Sequence, residues 1–280
     1  MDINQLDCLK KVQLEIMDEI HRVCKKNSVR YYLVYGTLLG AVRHKGFIPW
    51  DVDIDIAMPR KDYDRFKELC KDELSEQFFY CDHTTEKYYQ QPHALVCKRN
   101  TGLYTKYDKL NPINKNYGIY VDVFPLDKAP DDTAERVKHA RALRRLYRLK
   151  ELSIPYSYSS SSLKRKLHHA LSALLFFLSP TRINEKLHRE KAKYENTSAR
   201  CLCAIAGDAD EKEYIRQCFP AEMFSEPEML EFEGRKFCCP KDSTAYLTQM
   251  YGDYMTPPPK EQQRVNLELF TEIETGNINA

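Results

Sequence analysis

Three aspartates at alternate positions, Asp51, Asp53 and Asp55 in the run DVDID, are the residues of this chain best suited to chemistry. On a strand, residues i and i+2 point the same way, so this spacing predicts an acidic face backed by an apolar face of Val52, Ile54 and Ile56. Neighbouring carboxylates without a counter-charge repel, and the pair should be driven to take up a proton. A divalent cation removes that conflict, and Mg²⁺ is content with one or two carboxylates, waters and substrate phosphate oxygens. Just upstream lies a basic run, Arg43, His44 and Lys45, and before it the small pair Gly36 and Thr37. The sum is a metal-and-phosphate chemistry. A solvated strand edge is the plainer explanation of any isolated Asp-x-Asp.

The elements that must position these residues can be read around them. Tyr31 to Tyr35 is an apolar run suited to a strand, and Leu38 to Val42 suits a helix. Gly36-Thr37 is then a turn between them, opening onto helix N–H groups that favour an anion. The acidic strand follows and ends at Pro59. This order matches the nucleotidyltransferase-fold pattern of Gly-[Gly/Ser/Thr], a spacer, then Asp-x-Asp.

The longer stretch GTLLGAVRHKGFIPWDVDIDIAMPRKDYDRF, Gly36 to Phe66, resembles the LicD-type phosphocholine transferases, with the fukutin-related phosphoribitol transferases as more distant relatives. GIYVDVFPLDKAP (Gly118 to Pro130) and the segments FEG and YLTQMYGDYMTPPP between Phe232 and Pro259 extend the likeness. It is weakest between about Asp131 and Glu231. The resemblance implies a nucleotidyltransferase-like α/β fold, a mixed sheet flanked by helices. It also implies a third carboxylate, Asp122, on the strand beside Asp-x-Asp, so that Asp53, Asp55 and Asp122 are the catalytic and metal-holding set for Mg²⁺, or Mn²⁺ in its place. One departure is visible: the family reads Trp-Asp-Asp-Asp-Ile-Asp where this chain has Val52. That position faces away from Asp53 and Asp55, so the metal site should survive, with less reason to give Asp51 a role.

The expected substrate contacts are Gly36 and Thr37 for backbone approach to a phosphate, and Arg43, His44 and Lys45 for negative charge. Arg43 leads because its planar fork fits phosphate oxygens. Trp50 offers a cation–π surface to a quaternary ammonium, although a buried aromatic is the simpler reading. Lys98, at the basic end of a predicted strand from Ala94 to Cys97, could reach a nucleotide phosphate or simply sit in a solvated turn. Arg60 is read as a phosphate contact or a surface charge, and Asp127 as a turn or capping residue.

The whole chain of 280 residues has the apolar content of an ordinary globular protein, 42%. Its 43 basic residues nearly cancel 41 acidic ones, which argues against nucleic acid as a partner. The opening MDINQLDCLKK lacks the apolar core of a secretory signal, so the ten cysteines read as free thiols in a reducing, cytoplasmic setting. Cys201, Cys203, Cys218, Cys238 and Cys239 lack the usual zinc spacing.

Residues 4 to 26 carry apolar positions three and four apart and predict a packing helix. Residues 1–130 are expected to form the catalytic core, 131–200 a basic helical insertion, and 201–280 the part that completes the core. Within the insertion, nine apolar residues from Ala170 to Leu178 are too few to span a bilayer. With Lys164, Arg165 and Lys166 beside them they suit a helix lying on an anionic membrane. Burial in the core of the insertion is the favoured alternative.

The function this predicts is Mg²⁺-dependent transfer of a phospho-substituent, phosphocholine first, from a CDP-linked donor to a hydroxyl of a glycan that is free or lipid-linked, with release of CMP. The enzyme would be cytoplasmic or peripheral at the inner face of the membrane. Two rivals use the same residues: a true nucleotidyltransferase attacking the α-phosphorus, and an inactive nucleotide-binding module.

Overall fold

A computed structural model describes residues 3–89, 91–105, 116–154, 161–174, 179–205, 209–263 and 270–275. The chain opens with α1 (Ile3–Lys26) and β1 (Tyr32–Leu33), then α2 (Tyr35–His44), β2 (Asp55–Pro59), α3 (Arg60–Glu73), β3 (Phe78–Cys81), β4 (Ala94–Lys98), β5 (Gly102–Thr105) and β6 (Tyr120–Ala129). Three helices follow: α4 (Thr133–Ser153), α5 (Ser162–Leu174) and α6 (Pro180–Lys191). The chain then returns through β7 (Cys201–Cys203), α7 (Glu211–Arg216), β8 (Cys218–Pro220), the hairpin β9 (Glu228–Phe232) and β10 (Arg235–Cys239), α8 (Ser243–Tyr251) and β11 (Phe270–Glu274).

Among the described residues seven strands form one mixed sheet in the order β1-β2-β6-β4-β3, with β7 on β6 and β8 on β7. Only β2 and β6 run parallel; the other pairings are antiparallel. β6 is the spine. Its first half pairs with β2 and β4, and its last residues Asp127 to Ala129 pair with β7. The main core gathers Leu9, Val12, Ile16 and Ile20 of α1 with Ile56, Val96, Val121 and Val123 of the sheet and Phe66 of α3. That is the helix face predicted from spacing. Fully burying a Leu, Ile or Val side chain is worth about 1.5–3 kcal/mol, so this cluster dominates the fold's stability.

A smaller cluster joins Ala140, Leu143 and Tyr147 of α4 to Leu187 of α6, Cys203, Tyr214 and Cys218. Helix starts here follow capping chemistry. Asp132 accepts from the Glu135 N–H at 2.9 Å to open α4, and Ser179 before Pro180 accepts from Arg182 to open α6.

Four local expectations are corrected. The acidic run is not a strand throughout: Asp51 to Ile54 are irregular and β2 begins at Asp55. The Gly36-Thr37 turn lies inside the first turn of α2, because β1 is only two residues long and the helix starts at Tyr35. α5 is not buried in the insertion; Leu163, Leu167, Leu171 and Leu174 are all exposed. The segment after Gln262, which offers little readable signal in the sequence, contributes β11, paired with β5. Leu175 to Leu178 of the apolar stretch lie outside the described residues. No helix among the described residues is long and apolar enough to cross a membrane.

Candidate active site

The parallel β2–β6 pair brings the carboxylates together. Asp55 and Asp122 are direct cross-strand partners, so their side chains leave the same face of the sheet. The Asp122 N–H donates to the Ile54 carbonyl at 2.9 Å, tying the end of the irregular acidic segment to β6. The Gln13 amide of α1 donates to the Val52 carbonyl at 2.9 Å and holds that segment from the other side. Asp53 is thus placed by backbone bonds at Val52 and Ile54 rather than by strand pairing.

The electrostatics are those of acids crowded without a counter-ion. Burial, the Asp51 carboxylate and Asp122 push the Asp53 carboxyl up to about 8. Burial raises Asp55 well above the carboxylate range, with Asp53, Asp122 and Asp51 adding in that order. Desolvation and like charge act in the same direction. Such strongly perturbed acids at the end of a sheet are a signature of functional sites.

These carboxylates suit a hard divalent cation, since their oxygens are its preferred ligands and positive charge would relieve both shifts. Among the described residues no three His, Cys, Asp or Glu side chains form a preassembled metal cage. That is compatible with Mg²⁺, which leaves coordination positions to water and substrate phosphate.

Gly36 and Thr37 are at this site. A Cβ on Gly36 would come within 2.5 Å of Asp51 Oδ2, so any larger residue there would force that carboxylate to shift. Thr37 Oγ1 accepts from the Asp55 N–H at 2.8 Å and locks the first turn of α2 to the start of β2. In that first turn N–H groups have no intrahelical carbonyl to meet. Tyr35, with φ of 50°, sets the helix entry; its ring packs edge-on against Phe124 at 5.4 Å and its N–H donates to the Tyr246 hydroxyl at 3.4 Å.

The basic run is at the far end of α2, about 10 Å along the helix from Gly36 at ~1.5 Å per residue. Arg43 Nη1 donates to the Tyr254 carbonyl at 2.7 Å, and burial lowers the pKa of its guanidinium. His44 packs edge-on against Trp50, ring centroids 6.3 Å apart. Burial and the neighbouring Arg43 lower the His44 pKa. Trp50 is half-buried against the core and precedes Asp51 directly. Lys45 ends the helix in a left-handed conformation, pointing to Glu231 at 3.9 Å on the surface. His44 and Trp50 are thus in contact, with Arg43 turned to the Tyr254 carbonyl and Lys45 on the surface.

Lys98 does not join them. Leu95 lies opposite Asp122, and Lys98 is three residues further along β4, which puts it on the other face of the sheet. There its ammonium is ion-paired with Glu15 of α1. Arg60 and Asp127 are corrected too. Arg60 is buried, and its Nε and Nη2 reach Asp127 Oδ1 and Oδ2 at 2.6 and 2.9 Å. Neither a phosphate contact nor a cap, this is a bidentate internal ion pair, and Asp127 lies within β6. Asp253 accepts from Thr256 Oγ1 at 2.7 Å in an exposed turn.

Sequence reasoning passed over His93. Its Nε2 lies 2.5 Å from Asp122 Oδ1, and its ring lies over Phe124 at 4.0 Å. Nδ1 is buried with no partner, so the tautomer that fits carries its proton on Nε2 and donates to Asp122. Its loop is held by two buried lysines: Lys150 Nζ donates to the Gln91 carbonyl at 3.1 Å and Lys191 Nζ to the Pro92 carbonyl at 2.8 Å. Tyr251 and Lys10 were missed as well. Tyr251 is raised by burial and then by Asp55 and Asp51; burial lowers Lys10 while Asp51 opposes that shift. A histidine just before a strand, and a tyrosine some two hundred residues from its carboxylate neighbour, carry no local signal that would have singled them out.

Comparison with known proteins gives the family. The profile described as LicD/FKTN/FKRP, nucleotidyltransferase domain, matches residues 28–145, which hold Gly36, the acidic run, His93 and Asp122. The lipopolysaccharide cholinephosphotransferase LicD of Haemophilus influenzae is 30% identical over 264 residues, covering 90% of this chain and 92% of that protein. An uncharacterized protein of Rickettsia prowazekii is 30% identical over 117 residues, 42% of this chain and 40% of its own. The human ribitol 5-phosphate transferase FKRP is 37% identical over 62 residues, 22% of this chain and 12% of that protein. A relative at this identity along nearly the whole of both chains, with the site residues inside the profile match, places the protein: the chain belongs to the LicD family.

Proposed function

We propose that this protein transfers a phospho-substituent, phosphocholine in the first instance, from a CDP-linked donor to a hydroxyl of a cell-surface glycan and releases CMP. The observation that carries the reading is the convergence of Asp53, Asp55 and Asp122 on the β2–β6 pair, in a chain similar along its length to a lipopolysaccharide cholinephosphotransferase. The fold assigned to this chemistry is nucleotidyltransferase-like.

In the proposed reaction the acceptor oxygen attacks the phosphorus that bears the head group. The new P–O bond forms as the P–O bond to CMP breaks, and the hydroxyl proton passes to a carboxylate. Asp53 and Asp55, with Asp122 completing the set, would hold Mg²⁺, or Mn²⁺ in its place. When bound, the cation offsets charge on the diphosphate and the leaving CMP. Asp122 is oriented through Oδ1 by His93, and its Oδ2 serves either as a further ligand of the cation or as the acceptor of the hydroxyl proton. Gly36 and Thr37 lie where a phosphate can approach backbone N–H groups beside the carboxylates. Arg43 supplies fixed positive charge, and the Trp50 face is available to a quaternary ammonium.

The test is CMP release from a panel of CDP-linked donors with Mg²⁺, wild type against Asp53→Ala. Donor-selective CMP release lost in the variant supports the proposal and names the head group. Pyrophosphate release from a nucleoside triphosphate, with nucleotide left on the acceptor, would establish the rival nucleotidyltransferase chemistry instead.

A further inference from the structure

The strongest feature unused by the site is helix α5. Leu163, Leu167, Leu171 and Leu174 fall within about 80° of one another around the helix at 100° per residue. All four are exposed: 74%, 61%, 37% and 74%. A contiguous leucine stripe left in water marks an interaction surface. The opposite side of the helix faces the protein. Ser172 is buried there, and His168 Nε2 bonds the Ile154 carbonyl at 2.9 Å. The stripe is therefore turned outward by the way α5 is docked.

Charge says what covers it. Lys164 and Lys166 are exposed on the two flanks of the leucine stripe. From Leu152 to Asn184 the sequence contains no Asp or Glu. The adjoining α4 packs against α5 and carries exposed Arg145 and Arg148 on one face, with half-exposed Leu149 among them, while Lys138 and Arg141 on the same face are paired with Glu135 and Glu211 at 3.5 and 3.0 Å. A second copy of α5 would bring lysines towards lysines with no acid on the helix to pair them. An anionic lipid surface accepts both parts, leucines below the headgroups and lysines among the phosphates.

We propose that α5 is an interfacial helix that docks the protein on anionic membranes. The inference is independent of the transfer reaction, since it rests on α5 and α4 alone.

The experiment is flotation of the full-length protein with phosphatidylcholine vesicles and with vesicles containing about 30% phosphatidylglycerol, alongside light scattering to report mass. The expected result is binding to anionic vesicles that weakens with salt. Leu167→Glu/Leu171→Glu should lower affinity at least tenfold with an unchanged melting temperature. Lys164→Gln/Lys166→Gln should lower it about fivefold for each lysine removed. Equal binding of wild type and the leucine variant overturns the proposal, as does equal binding to neutral and anionic vesicles. A dimer dispersed by Leu167→Glu/Leu171→Glu, with no vesicle binding, overturns it in favour of a second copy as the occupant.

Discussion

The two ends of the β2–β6 pair treat buried charge in opposite ways. At one end Asp53 and Asp55 are crowded by Asp51 and Asp122, and both are driven towards the protonated form. At the other, five residues and about 17 Å along β6, Asp127 is met by both arms of Arg60. Around Arg60 and Asp127 lie further buried groups, Lys191 lowered by burial to about 8 and Lys150 to about 7. His188, stacked on His83 at 3.7 Å, is also lowered by burial. The Asp127 end satisfies itself. The Asp53 end is short of positive charge, and folding alone does not need it. A buried pair of opposite charges is structure; a buried group of like charges held in place by backbone bonds is the feature on which the proposed cation site rests.

This contrast can be broken most severely at the acidic end. Asp53→Ala or Asp55→Ala should cost at least about a thousandfold in transfer rate, the scale of losing a principal charge-stabilising group. Thermal stability should hold or rise, because each removes a repelled charge. Steady-state assays with melting curves check both halves, and a variant that loses activity by unfolding would contradict the site assignment.

At the paired end the losses should reverse. Asp127→Asn removes the bidentate partner of buried Arg60 but leaves it Asp64 at 3.2 Å, and should cost about 3 kcal/mol of stability. Urea titration measures this, and activity per folded molecule should change little.

His93→Gln should lower turnover by about 10–100-fold, the usual range for a group that orients a ligand carboxylate. Melting temperature should fall only slightly, since among the described residues the ring's one hydrogen-bond partner is Asp122.

The smallest effect is the pH dependence of stability without divalent cation. The folded Asp53 carboxyl holds its proton to about pH 8, while an unfolded aspartate loses it near 4. Between those values the folded state binds more protons, so stability falls as pH rises from about 4 through 8. Asp53→Asn should flatten that slope and be more stable than wild type at pH 8. Mg²⁺ should raise the wild-type melting temperature at pH 8 and leave the variant's nearly unchanged.

Much of this was legible in the residue order. The acidic run was marked as the candidate site, though Asp53 reaches Asp55 through an irregular segment and not by strand alternation, and 3.6-residue periodicity gave α1 nearly to its ends. The family resemblance located Asp122 before any strand pairing was known. Where the reading failed, a long-range partner decided the outcome. Lys98 looked available until β4 register put it on the α1 face beside Glu15. Arg60 and Asp127 looked superficial until β2 and β6 ran side by side. α5 looked suited to burial because its composition is apolar, but composition does not say which face is turned inward.

By itself, then, the sequence determined the candidate residue types, their spacing and the longer elements such as α1, because side-chain period is local. Tertiary structure alone decided which charges meet. It set Asp122 against Asp55, gave Asp122 the His93 imidazole, closed Arg60 onto Asp127 and left the α5 leucines outside. Those outcomes depend on strand register and helix docking between residues far apart in the chain, and desolvation and Coulomb energies act on distances that only the folded chain fixes.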